Sequence, residues 1–314
     1  MNTVDFHGIV PLHNRGVIRA EGPDAASFLH GQLTQDFVLL TAGEARLAAL
    51  CTAKGRMIAS FIGIRPTPQT VLLVVSADIL AQTLKRLSMF VMRAKLELTD
   101  ATADYVLRGL AGDAIAANGG DPAASPGMRT AVAPAGFEAA GASIVALYPA
   151  DGVPRALWIA PAAVPPPTGT PIEPALWAWS EVRSGVATLT LPTVEVFVPQ
   201  MLNYESVGGV NFKKGCYPGQ EIVARSQFRG TLKRRTYVVD ADLPVEAGQD
   251  VFAGDDTEQP VGTVVQSAAS PAGGWSALVS MQVSALETGG LRASSTSGPA
   301  LRVEPLPYLL RDDI

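Results

Sequence analysis

The sequence predicts an α+β fold that ends in a small all-β module. Between 58 and 98 the pattern runs strand, strand, helix, strand. Proline at the first turn marks two further helices, one after Gly22 and one after Glu173. From about Thr236 only short strand-like runs remain, punctuated by glycine and proline.

Gly22-Pro23-Asp24 opens the first helix: Pro23 is pre-set for the first turn, and Ala25, Phe28, Leu29 and Leu33 fall on one face. Residues 58–64 and 71–75 read as strands joined by a loop holding Pro66 and Pro68. Ser76 with Asp78 caps a second helix, along which Leu80, Leu84, Leu87 and Val91 recur at helical spacing. Residues 95–98 return as a strand. The stretch 117–136, rich in Gly, Ala and Pro, and the stretch 160–171 with Pro165-Pro166-Pro167 read as surface loops or spacers. The Ala/Gly-rich run 141–150 reads as core or loop. Glu173-Pro174 starts a third helix that ends near Gly185 and carries Trp177 and Trp179. Two positions apart, these indoles cannot share a face, so one is expected in the core and the other half exposed, where a ligand would explain it. Runs at 237–240, 261–265, 277–283 and 301–303 then suggest a barrel or sandwich. No internal repeat is present.

At 314 residues, 47% hydrophobic and 17% charged, the chain has the composition of a globular protein with room for two or three domains. No apolar run is long and clean enough to span a bilayer. Residues 1–10 lack the basic and apolar regions of a secretory signal, and the cysteines, Cys51 and Cys216, make no disulfide framework. A reducing cytoplasm is the expected compartment. Net charge is −5, which argues against general nucleic-acid binding. The charge is uneven: residues 213–235 carry +6, leaving −11 for the remainder. Such a local patch suits one anionic ligand or a partner surface.

Lys214-Gly215-Cys216-Tyr217-Pro218-Gly219-Gln220-Glu221 is the most informative segment. Gly215 and Gly219 permit a tight, exposed turn, Pro218 suits the first position of a helix, and Glu221 suits its first turn. A thiol there meets the positive end of a helix dipole and the charges of Lys213 and Lys214, both of which favour thiolate. A free cysteine also packs as a small hydrophobe, so the residues alone leave both readings open. No pair among His7, His13, His30, Cys51 and Cys216 has zinc-ligand spacing, and an iron–sulfur cluster would have to be transient or shared between two chains through Cys216. No metal site is expected. No phosphate-binding glycine loop is present. What remains is a candidate thiolate, a basic patch with Arg225 and Arg229 four apart on one helical face, and a candidate stacking aromatic. That set suits an aromatic ligand with carboxylates.

Asn203, Gly208-Gly209-Val210, Phe212, Lys214-Gly215-Cys216-Tyr217, Gly219-Gln220-Glu221, Val223-Ala224-Arg225 and Arg229-Gly230 resemble the signature of the YgfZ family, folate-binding proteins related in fold to the glycine-cleavage T-protein, an aminomethyltransferase. Gln32-Leu33-Thr34-x-Asp36, Cys51 with Lys54-Gly55-Arg56, and Pro305-Leu306-Pro307-Tyr308 resemble further blocks of that family. The resemblance implies a three-part ring: two interleaved α+β parts over 1–235, then a β-barrel over 236–314. It implies tetrahydrofolate in the central hole, stacked on Trp177, with Arg183, Tyr217, Arg225 and Arg229 as candidate folate contacts. It implies a working group of Cys216, Lys214, Gln220 and Glu221 at the rim. It also implies a role supporting iron–sulfur enzymes, including those that thiolate tRNA. The departures are specific. The block Gly55-Arg56-Met57-Ile58-Ala59-Ser60 lacks the carboxylate of T-protein enzymes, Arg183 stands where a pterin-binding glutamate is expected, and Arg15 replaces a second aromatic. A folate-binding accessory protein is therefore expected ahead of a folate-dependent one-carbon transferase or a pure interaction scaffold.

Overall fold

The computed structural model describes residues 6–133, 141–228, 232–254 and 259–311. β1 (Gly8–Pro11) and β2 (Arg15–Glu21) lead into α1 (Ala25–Gln32), followed by β3 (Ala45–Cys51), β4 (Met57–Thr67), β5 (Thr70–Ser76), α2 (Ala77–Ser88) and β6 (Glu97–Asp100). Five of these strands form an antiparallel sheet in the order β3-β4-β5-β2-β6. β4 and β5 are buried over most of their length, as expected of strands covered on both faces. α2 packs on the sheet through Ile79, Leu80, Thr83 and Leu87.

A second antiparallel sheet follows, from β7 (Tyr105–Ala111), α3 (Asp113–Ala117), β8 (Arg129–Val132), β9 (Ala142–Ala150) and β10 (Val153–Pro161). Its order is β1-β7-β10-β9-β8, so the N-terminal strand belongs to the second sheet and the first two parts are interleaved along the chain. Alternation divides β10: Leu157 and Ile159 join the main core, while Ala156 and Trp158 join a smaller cluster with Ile115 of α3 on the other face. The connection to the third part carries α4 (Pro174–Arg183) and α5 (Gln220–Phe228).

The third part contains β11 (Arg234–Ala241), β12 (Asp250–Phe252), β13 (Gly262–Ala269), β14 (Trp275–Gln282), α6 (Ala285–Thr288), β15 (Arg292–Ala293) and β16 (Leu301–Glu304). The sheet order is β15-β12-β13-β14-β11-β16. An Arg292–Ala300 bridge and the bond from Leu301 N to Leu291 O, 2.8 Å, bring the two edges together as a barrel. Its interior is apolar, with Val239, Val251, Val264, Val279 and Met281.

The structure revises several sequence expectations. β4 runs through Pro66 to Thr67, because the ladder with β5 shifts register between Ile64 and Thr67 and so leaves Pro66 without a ladder bond to make. Ser76 precedes α2 but makes no side-chain cap, and the Asp78 carboxylate instead accepts a bond from Leu191 N at 2.8 Å. Val91 lies beyond the end of α2 at Ser88. The run 141–150 is strand β9, buried at its first four positions. The third sheet opens at Arg234.

Candidate ligand cavity and its cysteine rim

A cavity of about 360 Å³ lies between the first two sheets, with α4 as its floor. Its walls are mainly apolar, from Leu47 and Ile62 on one side and Val145 and Leu157 on the other. α4 presents Trp177 and Glu181 to the cavity, one helical turn apart. The Trp177 ring rests over Gly109 of β7, where any side chain would meet the indole at 2.7 Å. Its Nε1 is buried and has no acceptor among the described residues. The Arg155 guanidinium lies 4.4 Å from the indole centroid, a cation–π contact. Burial draws the Arg155 pKa down to about 10, against the pull of Glu181. Glu181 accepts from Arg15 Nη2 at 2.5 Å, and Arg15 also donates to Thr188 Oγ1 at 3.0 Å.

Trp177 and Trp179 are both buried, so neither indole is half exposed. They face different parts of the molecule. Trp179 donates to Ser276 Oγ of the barrel at 3.2 Å and meets Phe6 edge to face. Trp177 alone of the pair lines the cavity.

The Cys216 segment sits beside the cavity rather than in it. Gly208, a lining residue, accepts from Gln35 Nε2 at 2.7 Å, and Gly209 O accepts from Thr34 Oγ1 at 2.6 Å. From there the chain turns to Lys214, whose Nζ donates to His30 O at 2.5 Å and Leu33 O at 3.1 Å. These are C-terminal carbonyls of α1, so the lysine caps a helix end that favours a cation. Lys214 is buried, lies over the Tyr217 ring, and has its pKa lowered to about 8 by burial, with Asp36 and Cys216 acting in the opposite sense. Tyr217 is buried as well, and burial pushes its phenol upward. Cys216 is exposed between them. Gly219, with φ +81°, brings the backbone so close to the 52–55 turn that a Cβ there would lie 2.3 Å from Thr52 O. The Cys51 and Cys216 blocks of the sequence are thus joined in space.

The other sequence-predicted residues fall as follows. α5 begins at Gln220, so Pro218 is not its first residue: the positive φ of Gly219 comes between. Gln220 is half-buried at the helix start. Glu221 and Arg225 are exposed and pair with each other across one turn at 3.4 Å, away from the cavity lining. Arg183 does not line the cavity: it holds Asp151 at 2.9 Å and Asp240 at 3.5 Å, tying the β9–β10 turn to the barrel. Arg229 lies outside the described residues. Sequence reasoning missed Arg155, whose one signal was a lone cation in the apolar run 153–160. It also missed His30, which bonds Asp36 through Nδ1 at 3.1 Å and turns Nε2 toward Gly215. No cluster of metal-ligating side chains occurs among the described residues.

The fold is that of the aminomethyltransferase T-protein. The solved structure of glycine cleavage system aminomethyltransferase T from Bartonella henselae matches with a TM-score of 0.66 at 17% identity, covering 96% of this chain and 86% of that one. The sequence relationship is narrower. The tRNA-modifying protein YgfZ of Klebsiella pneumoniae (strain 342) is 30% identical over 97% of this chain and 94% of its own length. That of Edwardsiella ictaluri (strain 93-146) is 31% identical over 93% and 89%. The chain belongs to the YgfZ family. No protein-family model matches the sequence. No helix among the described residues is long and apolar enough to cross a membrane.

Proposed function

We propose that this protein binds a reduced folate, tetrahydrofolate or a close relative, in the cavity above Trp177. In this reading it is a cytoplasmic accessory protein that supports iron–sulfur enzymes and through them tRNA modification, and Cys216 is its working thiol. The observation that carries the proposal is the cavity itself. Its size suits a small organic ligand, its walls are mainly apolar, and an indole and a guanidinium, Trp177 and Arg155, line it. Two relatives named tRNA-modifying protein YgfZ support the tRNA-related role, and the T-protein fold supports the choice of folate. When bound, the folate would supply one-carbon or redox chemistry at its ring, and the chain's own residues would hold the ring and shield it from water.

Aminomethyl transfer is not part of the proposal. The block ending at Ser60 brings no carboxylate to the cavity, and Ser60 Oγ is engaged as acceptor for Leu189 N at 2.9 Å. General acid–base help of the kind a carboxylate gives is commonly worth roughly 10²–10⁴-fold. The test is a titration with tetrahydrofolate under argon, read by tryptophan quenching. Stacking on the order of 1–3 kcal/mol makes Trp177→Ala bind about tenfold or more weakly. The same sample is expected not to turn over an aminomethylated lipoyl carrier. Unchanged affinity in folded Trp177→Ala would remove the indole from the site, and robust turnover would restore the transferase reading.

A further inference from the structure

Among the described residues, five charged side chains line the cavity: Arg15, Glu44, Arg46, Arg155 and Glu181. Four of them pair, Arg15 with Glu181 at 2.5 Å and Arg46 with Glu44 at 3.0 Å. Arg155 is left. It stands on β10 just past the register shift between Val153 and Arg155, opposite Leu147 of β9 and Ala111 of β7. The residue is 4% exposed. Its Nη1 makes one long bond, 3.4 Å, to the Tyr148 carbonyl, and its Nε is buried with no acceptor among the described residues. The Trp177 face gives the guanidinium some compensation, but an aromatic ring takes no hydrogen bond in the guanidinium plane. Glu181 acts on it only through space, being bonded to Arg15, and a buried cation without a bonded anion is unfavourable.

We propose that the cavity selects flat ligands that carry an anionic oxygen, and that Arg155 receives that oxygen. The geometry suits it: a planar fork with an unused donor edge matches a carboxylate or a similar group, while Trp177 and the aliphatic walls accept the rings. The inference rests on the folate reading only for the natural ligand, whose glutamyl carboxylates are such oxygens. It differs from the sequence expectation in the cation that does the work. Arg183 is committed to Asp151 and Asp240, and Arg225 to Glu221 outside the cavity.

The test compares folinic acid with its neutral glutamate diester, which has the same rings, against the intact protein and its Arg155→Met and Arg155→Gln variants. The wild type is expected to prefer the acid by about 10- to 100-fold, the worth of a hydrogen-bonded charge. Both variants are expected to bind acid and diester alike. Ligand-free Arg155→Met is expected to melt no lower than wild type, because an unpaired buried charge has been removed. A purely structural arginine would give the opposite, a lower melting temperature with the acid preference intact. If Arg155→Met does not fold, Arg155→Gln decides by the same criterion. Should the wild type bind neither folate form, the folate reading fails while the Arg155 inference stays testable with anilinonaphthalene sulfonate and neutral phenylnaphthylamine. Sulfonate preference that vanishes in the variants upholds it. A wild type without preference, or a folded variant that retains one, overturns it.

Discussion

Cys51 ends β3 beneath the motif, and burial pushes its thiol up to about 12, whereas Cys216 is exposed beside Lys214. A thiol with that value is thiolate only to roughly one part in 10⁵ at pH 7, and the thiolate is the nucleophile. Brief alkylation of native protein at neutral pH is therefore expected to label Cys216 well before Cys51, as peptide mapping would read. Faster labelling of Cys51 would end the thiolate reading. Lys214→Ala is expected to slow labelling of Cys216 several-fold, because it removes a cation within electrostatic reach of the sulfur and releases the turn from α1. Cys216 and Lys214 stand out in the sequence because their neighbours in the chain carry the signal, whereas only the family resemblance separates Trp177 from Trp179. Arg155 was not legible, since what sets it apart is the partner it lacks in space. Arg183 shows the converse: its place in a sequence pattern pointed to a ligand, and folding gave it Asp151 and Asp240 instead.

The longer helices α1, α2, α4 and α5 were legible to within a few residues because apolar spacing and proline mark them, as at Pro174, the first residue of α4. The short α3 and α6 carry no such marks and were not legible. Strand ends were less legible than the longer helices. The stretch of β9 read as core or loop rather than strand because its alanines and Pro149 hide the β-branched Ile144 and Val145 that anchor it. The turn between Cys216 and α5 was legible as a turn, but its seat on the 52–55 turn was not, since that contact joins positions far apart in sequence. Gly219 and Gly208 separate the two effects. Both have positive φ, +81° and +74°, but a Cβ at Gly219 meets Thr52 O at 2.3 Å whereas one at Gly208 meets nothing within 4 Å. Gly208→Ala is expected to cost only the conformational term, about 1–2 kcal/mol. Gly219→Ala is expected to cost more and to loosen the Cys216 turn. Thermal unfolding measured side by side checks this. Equal losses would mean that the turn is not seated on the Thr52 backbone.

At the scale of the whole molecule, α4 is the joint between cavity and barrel, with Trp177 on one side and Trp179 on the other. The interleaving of the first two parts was not legible from periodicity, which gives no pairing for β1; it came from the family signature. The docking of the barrel is polar as well as apolar. Asn203, in the left-handed region at φ 57°, accepts from Thr236 N at 3.2 Å and donates to Thr236 O at 2.8 Å, so its amide mimics a strand partner for β11. Beside it the buried Arg235 guanidinium pairs with the buried Glu205 carboxylate and donates to Arg311 O at 3.1 Å. Such a pair adds little over an apolar replacement, but halving it strands a charge. Glu205→Ala is therefore expected to destabilise the protein by about 3–5 kcal/mol, and Glu205→Leu combined with Arg235→Met to recover most of that loss. Equilibrium unfolding in denaturant would measure both. If the double variant is no more stable than Glu205→Ala, the pair's bonds themselves hold the barrel in place, and stranded charge is not what the single substitution exposes.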